Sequence, residues 1–316
     1  MADAQIRSVA IVGTGLIGAS WAAQYLASGL DVVATDPAPN AEASLRKCVD
    51  EAWGLLTAVG LAAGASRERL TFTADRNEAV SQADFVQESV PERLVLKARV
   101  FAQMDEVASP NTILASSASG ITMDGIQSGC KKHPERCVLG HPFNPPHVMP
   151  LVEVVGGTKT SDSVIERTMA FYSSIGKKPI RLRKTIPGHV GNRLQAALYR
   201  EVLYLIQQGV LGVEDADIAV SYGPGLRWGV MGPSLQWHLA GGSGGVEHFV
   251  RQFMEGFAGL MRKLEMPDIT PELMQRIIDG VLKEANGHSV EQLAKVENEM
   301  VSQFVSLRAK AAKIIP

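Results

Sequence analysis

Eighteen residues starting at Gly140, GHPFNPPHVMPLVEVVGG, concentrate side chains able to move protons. They hold His141, His147, four prolines and one carboxylate, Glu153. A histidine titrates near neutrality and is suited to take a proton from a hydroxyl group. Glu153 stands twelve residues after His141 in the apolar run LVEVV, and a carboxylate buried among apolar neighbours needs a partner. Bonded to one ring nitrogen of a histidine, it would fix the tautomer and stabilise the imidazolium. Pro142, Pro145 and Pro146 restrict the intervening chain, so the segment reads as a stiff loop that mounts a base. His147, in the same loop, is the alternative base, and an edge-strand surface position is the plain alternative for Glu153. His133, His189, His238, His248 and His288 read as surface or structural residues. Their spacing to other His, Cys and carboxylate residues matches no metal-ligand pattern, so no metal is expected.

These residues need elements to position them. The first half of the chain alternates short β-rich runs with helical segments: Ser8–Val12, Asp31–Thr35, Leu70–Thr73, Asp84–Glu88, Thr112–Ser116, Cys137–Gly140, Leu151–Val155 and Pro179–Leu182 read as strands. That alternation predicts an α/β fold, a Rossmann-type, mainly parallel sheet covered on both faces. From Gly188 onward the pattern turns helical, beginning with GNRLQAALYREVLYLIQQGV, and predicts an all-α C-terminal domain. Pro187 and Gly188 in TIPG interrupt the pattern, so the domains are expected at 1–186 and 187–316.

Between the first strand and first helix lies VAIVGTGLIGASW. Gly13, Gly15 and Gly18 form a G-x-G-x-x-G loop, with Leu16 and Ile17 completing the candidate cofactor contacts. The three glycines permit a tight turn, close approach of a pyrophosphate and close helix–strand packing. The helix N-terminus adds N–H groups for the phosphates. Asp36 ends the second strand, 23 positions after Gly13. A carboxylate there accepts the ribose hydroxyls of NAD and repels the 2′-phosphate of NADP, and no arginine follows until Arg46.

Composition narrows the class. The 316 residues carry a net charge of -2 and are 46% hydrophobic, which points away from nucleic-acid and membrane-surface partners. No apolar run is long enough to span a bilayer, and no secretory signal pattern opens the chain. Cys48, Cys130 and Cys137 are odd in number and form no C-x-x-C pair, so a reducing cytoplasm is the expected location.

The order of GTGLIG, ESVPERLVLK, HPFNPPH, GNRLQ and GPGLRWGVMGP resembles the 3-hydroxyacyl-CoA dehydrogenase family over essentially the whole chain. The length and the GLRW wording are most similar to the branch that includes lambda-crystallin (L-gulonate 3-dehydrogenase) and L-carnitine dehydrogenase. The resemblance implies His141 as the catalytic histidine and Glu153 as its partner. It implies Asn192, in GNRL, as a holder of the reacting oxygen, and Glu92 and Lys97 near the nicotinamide ribose. Ser119 matches the serine beside the substrate hydroxyl; this chain reads SSASG where the family often has N-T-S-S, so Ser116 and Ser117 stay open as alternatives. A small-molecule substrate and a homodimer are implied as well.

Two substrate classes fit that family: a small free L-3-hydroxy acid and an L-3-hydroxyacyl-CoA thioester. Arg227 stands where the acyl-CoA branch usually has a smaller or apolar residue. A guanidinium can grip a free carboxylate, which favours the free acid, carnitine- or gulonate-like; a surface or inter-subunit ion pair is the plain alternative. Trp228 and Trp237 flank the motif, and aromatic faces bind quaternary ammonium groups, although packing also explains them. A crystallin-like structural NAD-binding role is the reading from another class, and the retained His141, Glu153 and Asn192 weigh against it. A dehydrogenase family that uses lysine shares the glycine loop but lacks the HPFNP segment. Titration should give NAD a dissociation constant at least about tenfold below that of NADP, because Asp36 opposes the extra phosphate; equal constants would remove Asp36 from cofactor selection.

Overall fold

The computed structural model describes residues 6–311 and 314. They fall into two compact units, Met1–Gly191 with Val301–Gln303, and Asn192–Met300 with Phe304–Pro316.

The first unit is built on eight strands, β1 (Ser8–Val12), β2 (Asp31–Thr35), β3 (Leu70–Phe72), β4 (Phe85–Glu88), β5 (Ile113–Ser116), β6 (Cys137–Pro142), β7 (Leu151–Gly156) and β8 (Lys178–Arg181). They form one sheet in the order β3-β2-β1-β4-β5-β6-β7-β8. Every ladder is parallel except β6–β7. Six helices cover it: α1 (Leu16–Ala27), α2 (Ala41–Val59), α3 (Arg76–Ser81), α4 (Leu94–Val107), α5 (Met123–Gln127) and α6 (Asp162–Ser174). β1 shows why both faces are covered. Val9 and Ile11 point into a core with Trp21, Tyr25 and Leu26 of α1, Leu45 of α2 and Phe171 of α6. Ala10 and Val12 point the other way, to Val80 of α3, Phe101 and Met104 of α4 and Ile126 of α5. Period-two side chains on a strand buried on both sides give the continuous apolar run read in the sequence.

Two features of this unit bear on chemistry. The strand order reverses between β2-β1 and β4, which places a crevice at the carboxyl ends of the parallel strands beside the glycine loop. Further along, β6 does not stop at Gly140. It continues to Pro142 and pairs antiparallel with β7, so His141 lies on a strand rather than in a loop. The reason is backbone pairing: five residues of β6 find partners on β7, from Val138↔Gly156 to Pro142↔Val152. Proline lacks an N–H, and Pro142 is accordingly the strand's last residue.

The second unit is helical: α7 (Gly191–Gln207), whose first residue closes the first unit, then α8 (Val213–Tyr222), α9 (Pro224–Val230), α10 (Pro233–Ala240), α11 (Gly245–Met261), α12 (Pro271–Ala285) and α13 (Val290–Lys310) apart from its residues Val301–Gln303. Val202, Ile206, Val213, Ala216 and Leu273 form its core. Thr270 caps α12, and Ser289 with Gln292 forms a capping box on α13. Trp237 stacks on Phe249 at 4.7 Å and meets the edge of Phe257. Ring packing therefore accounts for Trp237, while Trp228 stays 39% exposed on α9.

Candidate active site

The glycine loop has a geometry made for phosphate. Gly13 has φ +94° and donates to the Thr35 carbonyl at 2.9 Å, a left-handed turn that favours glycine. A Cβ on Gly18 would lie 1.9 Å from the Gly13 carbonyl oxygen, so α1 can sit this close to β1 only with glycine there. Beside Gly15 a Cβ would meet nothing within 4 Å. Gly15 caps α1 with no side-chain acceptor on the first-turn N–H groups, and these are the groups an anion takes at a helix start. Leu16 is exposed on the same loop and Ile17 packs partly on the core.

Asp36 is tied into this loop. Its Oδ2 accepts the Thr14 N–H and its Oδ1 the Ala38 N–H, both at 2.8 Å. A cavity of about 490 Å³ opens past it, lined by Ala38, Asn40, Ala41, Glu42, Arg46 and Phe72. Arg46 there is gripped through two nitrogens by Glu42, at 3.0 and 2.8 Å. The guanidinium nearest in sequence to Asp36 is thus already engaged by a carboxylate.

The segment between β4 and α4 forms a buried ionic knot. Lys97 donates to Glu88 Oε1 at 2.8 Å and to the Val90 carbonyl at 3.0 Å, and lies 3.5 Å from Glu92 Oε2. Glu88 also accepts from Ser116 at 2.5 Å and from the Val90 N–H. Burial raises the Glu88 pKa against the opposing pull of Lys97 and these bonds. The consequence for Lys97 is positional: fully buried and surrounded by three acceptors, it holds Glu88 and Glu92 in place instead of reaching outward. Glu92 stays partly exposed, and its Oε1 accepts the N–H groups of both Ser119 and Gly120, at 2.9 and 2.8 Å.

This sorts the three serines. Ser116 is buried and committed to Glu88. Ser117 sits in the polar core, taking a bond from Gln87 at 2.8 Å and sharing one with Ser89. Ser119 is half-buried on the loop pinned by Glu92, and only its backbone N–H is engaged there.

His141 and Glu153 are cross-strand partners in the β6–β7 ladder. The His141 Nδ1 lies 2.8 Å from Glu153 Oε2, and Glu153 is completely buried, not on a surface edge. Its other oxygen accepts the N–H groups of Val190 and Gly191 at 2.7 and 3.0 Å. Burial works to raise the Glu153 pKa, but the bonds from His141, Gly191 and Val190 outweigh it and hold the carboxyl ionised. An ionised acceptor requires a proton on His141 Nδ1, and Nε2 bonds to no protein group among the described residues.

His147 is placed differently. Its N–H donates to Ser20 Oγ at 2.9 Å, and its Nδ1 lies 2.7 Å from the same hydroxyl. Burial, then the nearby Lys177, lowers its pKa to about 4. A ring so committed to α1 is a weak base. Lys177 itself, buried under Trp21 and bonded to the carbonyl oxygens of Pro146 and Met149, has its pKa lowered by burial to about 7.

His189, read from the sequence as a surface or structural residue, is buried beside the pair. Its ring centroid is 4.8 Å from that of His141. Nothing in PGHVGN announces this, because the contact depends on the fold. Asn192, in the first turn of α7, is half-buried, and Arg227 is exposed near the end of α9, next to Trp228. Among the described residues no group of three His, Cys, Asp or Glu could hold a metal ion, and no helix is long and apolar enough to cross a membrane.

Residues 8–185 match the family model for the 3-hydroxyacyl-CoA dehydrogenase NAD binding domain, and residues 188–294 match that for the 3-hydroxyacyl-CoA dehydrogenase C-terminal domain. The chain belongs to the 3-hydroxyacyl-CoA dehydrogenase family. It is therefore an NAD-dependent oxidoreductase, and the open first turn of α1 with Asp36 fits that cofactor. The chain is 43% identical to an L-carnitine dehydrogenase of Bacillus cereus, with 98% of this chain and 95% of the relative covered. It is likewise 43% identical to an L-carnitine dehydrogenase of Pseudomonas aeruginosa, covering 93% and 92%. Among solved structures, it is similar to 5-formyl-3-hydroxy-2-methylpyridine 4-carboxylic acid 5-dehydrogenase, an NAD+ dependent dismutase. That match has TM-score 0.81 and 33% identity and covers 96% of this chain and 98% of the other. It is also similar to 3-hydroxybutyryl-CoA dehydrogenase from Escherichia coli, with TM-score 0.64 and 32% identity over 75% of this chain and 50% of that one.

The His147 environment has a measurable consequence. The unfolded chain takes up this proton near the ordinary histidine pKa of about 6.5, the folded chain only near 4. Between those values the unfolded state binds more protons, so stability falls as pH falls through that window. Asn can keep the acceptor that faces Ser20 and cannot titrate. His147→Asn should flatten the decline in urea-unfolding free energy between pH 6.5 and 4.5 by on the order of 1–3 kcal/mol. An unchanged slope would mean that His147 is not the group responsible.

Proposed function

We propose that this family member oxidises the 3-hydroxyl of a small free L-3-hydroxy acid, carnitine-like, to the 3-keto acid, with His141 as general base and Glu153 as its orienting partner. The observation that carries this is the His141–Glu153 bond of 2.8 Å, which occupies Nδ1 and leaves Nε2 for a substrate hydroxyl. NAD, when bound, accepts the hydride from the carbon bearing that hydroxyl. The protein's part is to remove the hydroxyl proton as the hydride departs. The proton passes to His141 Nε2, and the ionised Glu153 balances the imidazolium charge. Ser119 and Asn192 are proposed to hold the reacting oxygen. Glu92, fixed by Lys97 and by the Ser119–Gly120 N–H groups, is proposed to face the nicotinamide ribose.

The free acid is favoured over a CoA thioester on two grounds. The relatives named for carnitine are 43% identical over nearly the full chain, whereas the 3-hydroxybutyryl-CoA enzyme is 32% identical over 75% of it. Arg227 is exposed on α9, and a guanidinium is suited to a free carboxylate. A homodimer is proposed because the helical unit exposes many large apolar residues, among them Leu194, Tyr222, Leu282 and Met300. A cytoplasmic location is proposed from the three free cysteines, two of them buried.

With L-carnitine and other 3-hydroxy acids, NADH absorbance should show His141→Ala reduced by about 10²–10⁴-fold in kcat, while NAD affinity from fluorescence titration stays unchanged. Near-normal turnover of that variant together with a dead His147→Ala would transfer the role to His147. The acid group is tested separately. Arg227→Met should raise KM for the free acid by about tenfold or more, the loss of roughly one charge-assisted bond, and leave the methyl ester nearly unaffected. Equal loss on both substrates would make Arg227 structural.

A further inference from the structure

The loop residue His189 is built into the site in a way that ordinary packing does not require. Its backbone is left-handed, φ +50°, directly after Gly188 at φ +76°. A left-handed residue that is neither glycine nor asparagine is strained by about 1–3 kcal/mol and persists only where its surroundings hold it. The two successive turns bring the next two N–H groups, of Val190 and Gly191, onto Glu153 Oε1. The strained residue thus sets the direction of two of the three bonds that keep Glu153 ionised.

The side chain shows what holds it. His189 Nε2 lies 3.2 Å from the Ala118 carbonyl oxygen and must carry the proton to bond there. Its ring packs on His141 at 4.8 Å, tilted by 39°. Its Nδ1 is buried with no hydrogen-bond partner, which costs about 1–3 kcal/mol. A phenyl ring at this position could make the ring contact without that cost. The imidazole is therefore explained by its Nε2 bond, which ties this segment to the loop carrying Ser119. That loop is fixed on its other side by Glu92.

We infer that His189 is a positioning residue for the reaction: its Nε2–H···O bond to Ala118 locks the Ser119 loop to the strained turn that presents Val190 and Gly191 to Glu153, and so holds the His141 ring in register with substrate. This rests on His141 being the base. Burial, and then the neighbouring His141, lower the His189 pKa, so His189 stays neutral and places no second charge against a proton arriving on His141.

The test compares His189→Phe, which keeps a ring and removes the donor, with His189→Gln, whose amide nitrogen can take the place of Nε2. His189→Phe should lose about 10–100-fold in kcat, the scale of a slightly misplaced reacting group, with NAD affinity and thermal midpoint near those of the unmodified protein. His189→Gln should recover most of that loss. A readout that needs no substrate accompanies these rates: ¹⁵N shifts of the His141 ring should report the single Nδ1–H tautomer in the unmodified protein and in His189→Gln, and a mixture in His189→Phe. Unchanged turnover and unchanged His141 shifts in His189→Phe would overturn the inference. So would a His189→Gln enzyme as impaired as His189→Phe, or a His189→Phe chain that does not fold while a folded His189→Gln has lost the tautomer. His141→Ala, measured in parallel, separates the two ideas, since its retained turnover would refute the base and not the His189 lock.

Discussion

The first unit depends on keeping one buried carboxylate ionised. Glu153 lies in the middle of β7, flanked by β6 and β8 and closed off from solvent. An ionised group in that position is tolerable only with close hydrogen-bond partners. Three are supplied: the His141 ring across the ladder and the N–H groups of Val190 and Gly191. Each partner needs its own support. His141 needs the antiparallel register of β6 and β7, and the two N–H groups need the left-handed turn at Gly188 and His189. A residue with an unremarkable place in the sequence, in a run of valines, thus constrains elements nearly forty positions away.

The same principle recurs at Glu88, with a different outcome. There the carboxylate is buried at the end of β4 and met by Lys97, Ser116 and the Val90 N–H. Its pKa is raised where that of Glu153 is lowered. Both carboxylates pay desolvation; at Glu153 the hydrogen bonds win and at Glu88 burial does. The two suit different tasks. Glu153 faces the ring of His141, while Glu88 anchors a lysine that in turn steadies Glu92 and the Ser119 loop.

The cofactor side relies on shape and backbone more than on charge. Gly13 and Gly18 let α1 approach β1, and Gly15 leaves the first-turn N–H groups open. Asp36 is held by two N–H groups of its own neighbourhood, and the Arg46 guanidinium beyond it is taken by Glu42. The Asp36 carboxylate and the Arg46 guanidinium paired with Glu42 at the rim of the cavity beyond it are compatible with NAD.

Much of this was determined by the sequence alone, because it is encoded by local periodicity and spacing. The strand–helix alternation, the glycine loop with Asp36 and the change to helical pattern all depend on neighbours within a few residues, and β1 and β2 emerge with the bounds their apolar runs predict. His141 and Glu153 were recognisable as a pair by type and resemblance. Tertiary structure decided how they meet. Antiparallel pairing extends β6 through His141 and sets it opposite Glu153, a register that no local pattern specifies. Tertiary contacts also distinguished the two histidines of one segment, giving His147 to Ser20 on α1, 127 positions away. They buried Lys97 and drew His189 onto His141 and Ala118. Each of these outcomes turns on burial and on hydrogen bonds between residues distant in the chain. Desolvation and long-range partners fix what such a side chain can do, and neither exists until the chain has folded.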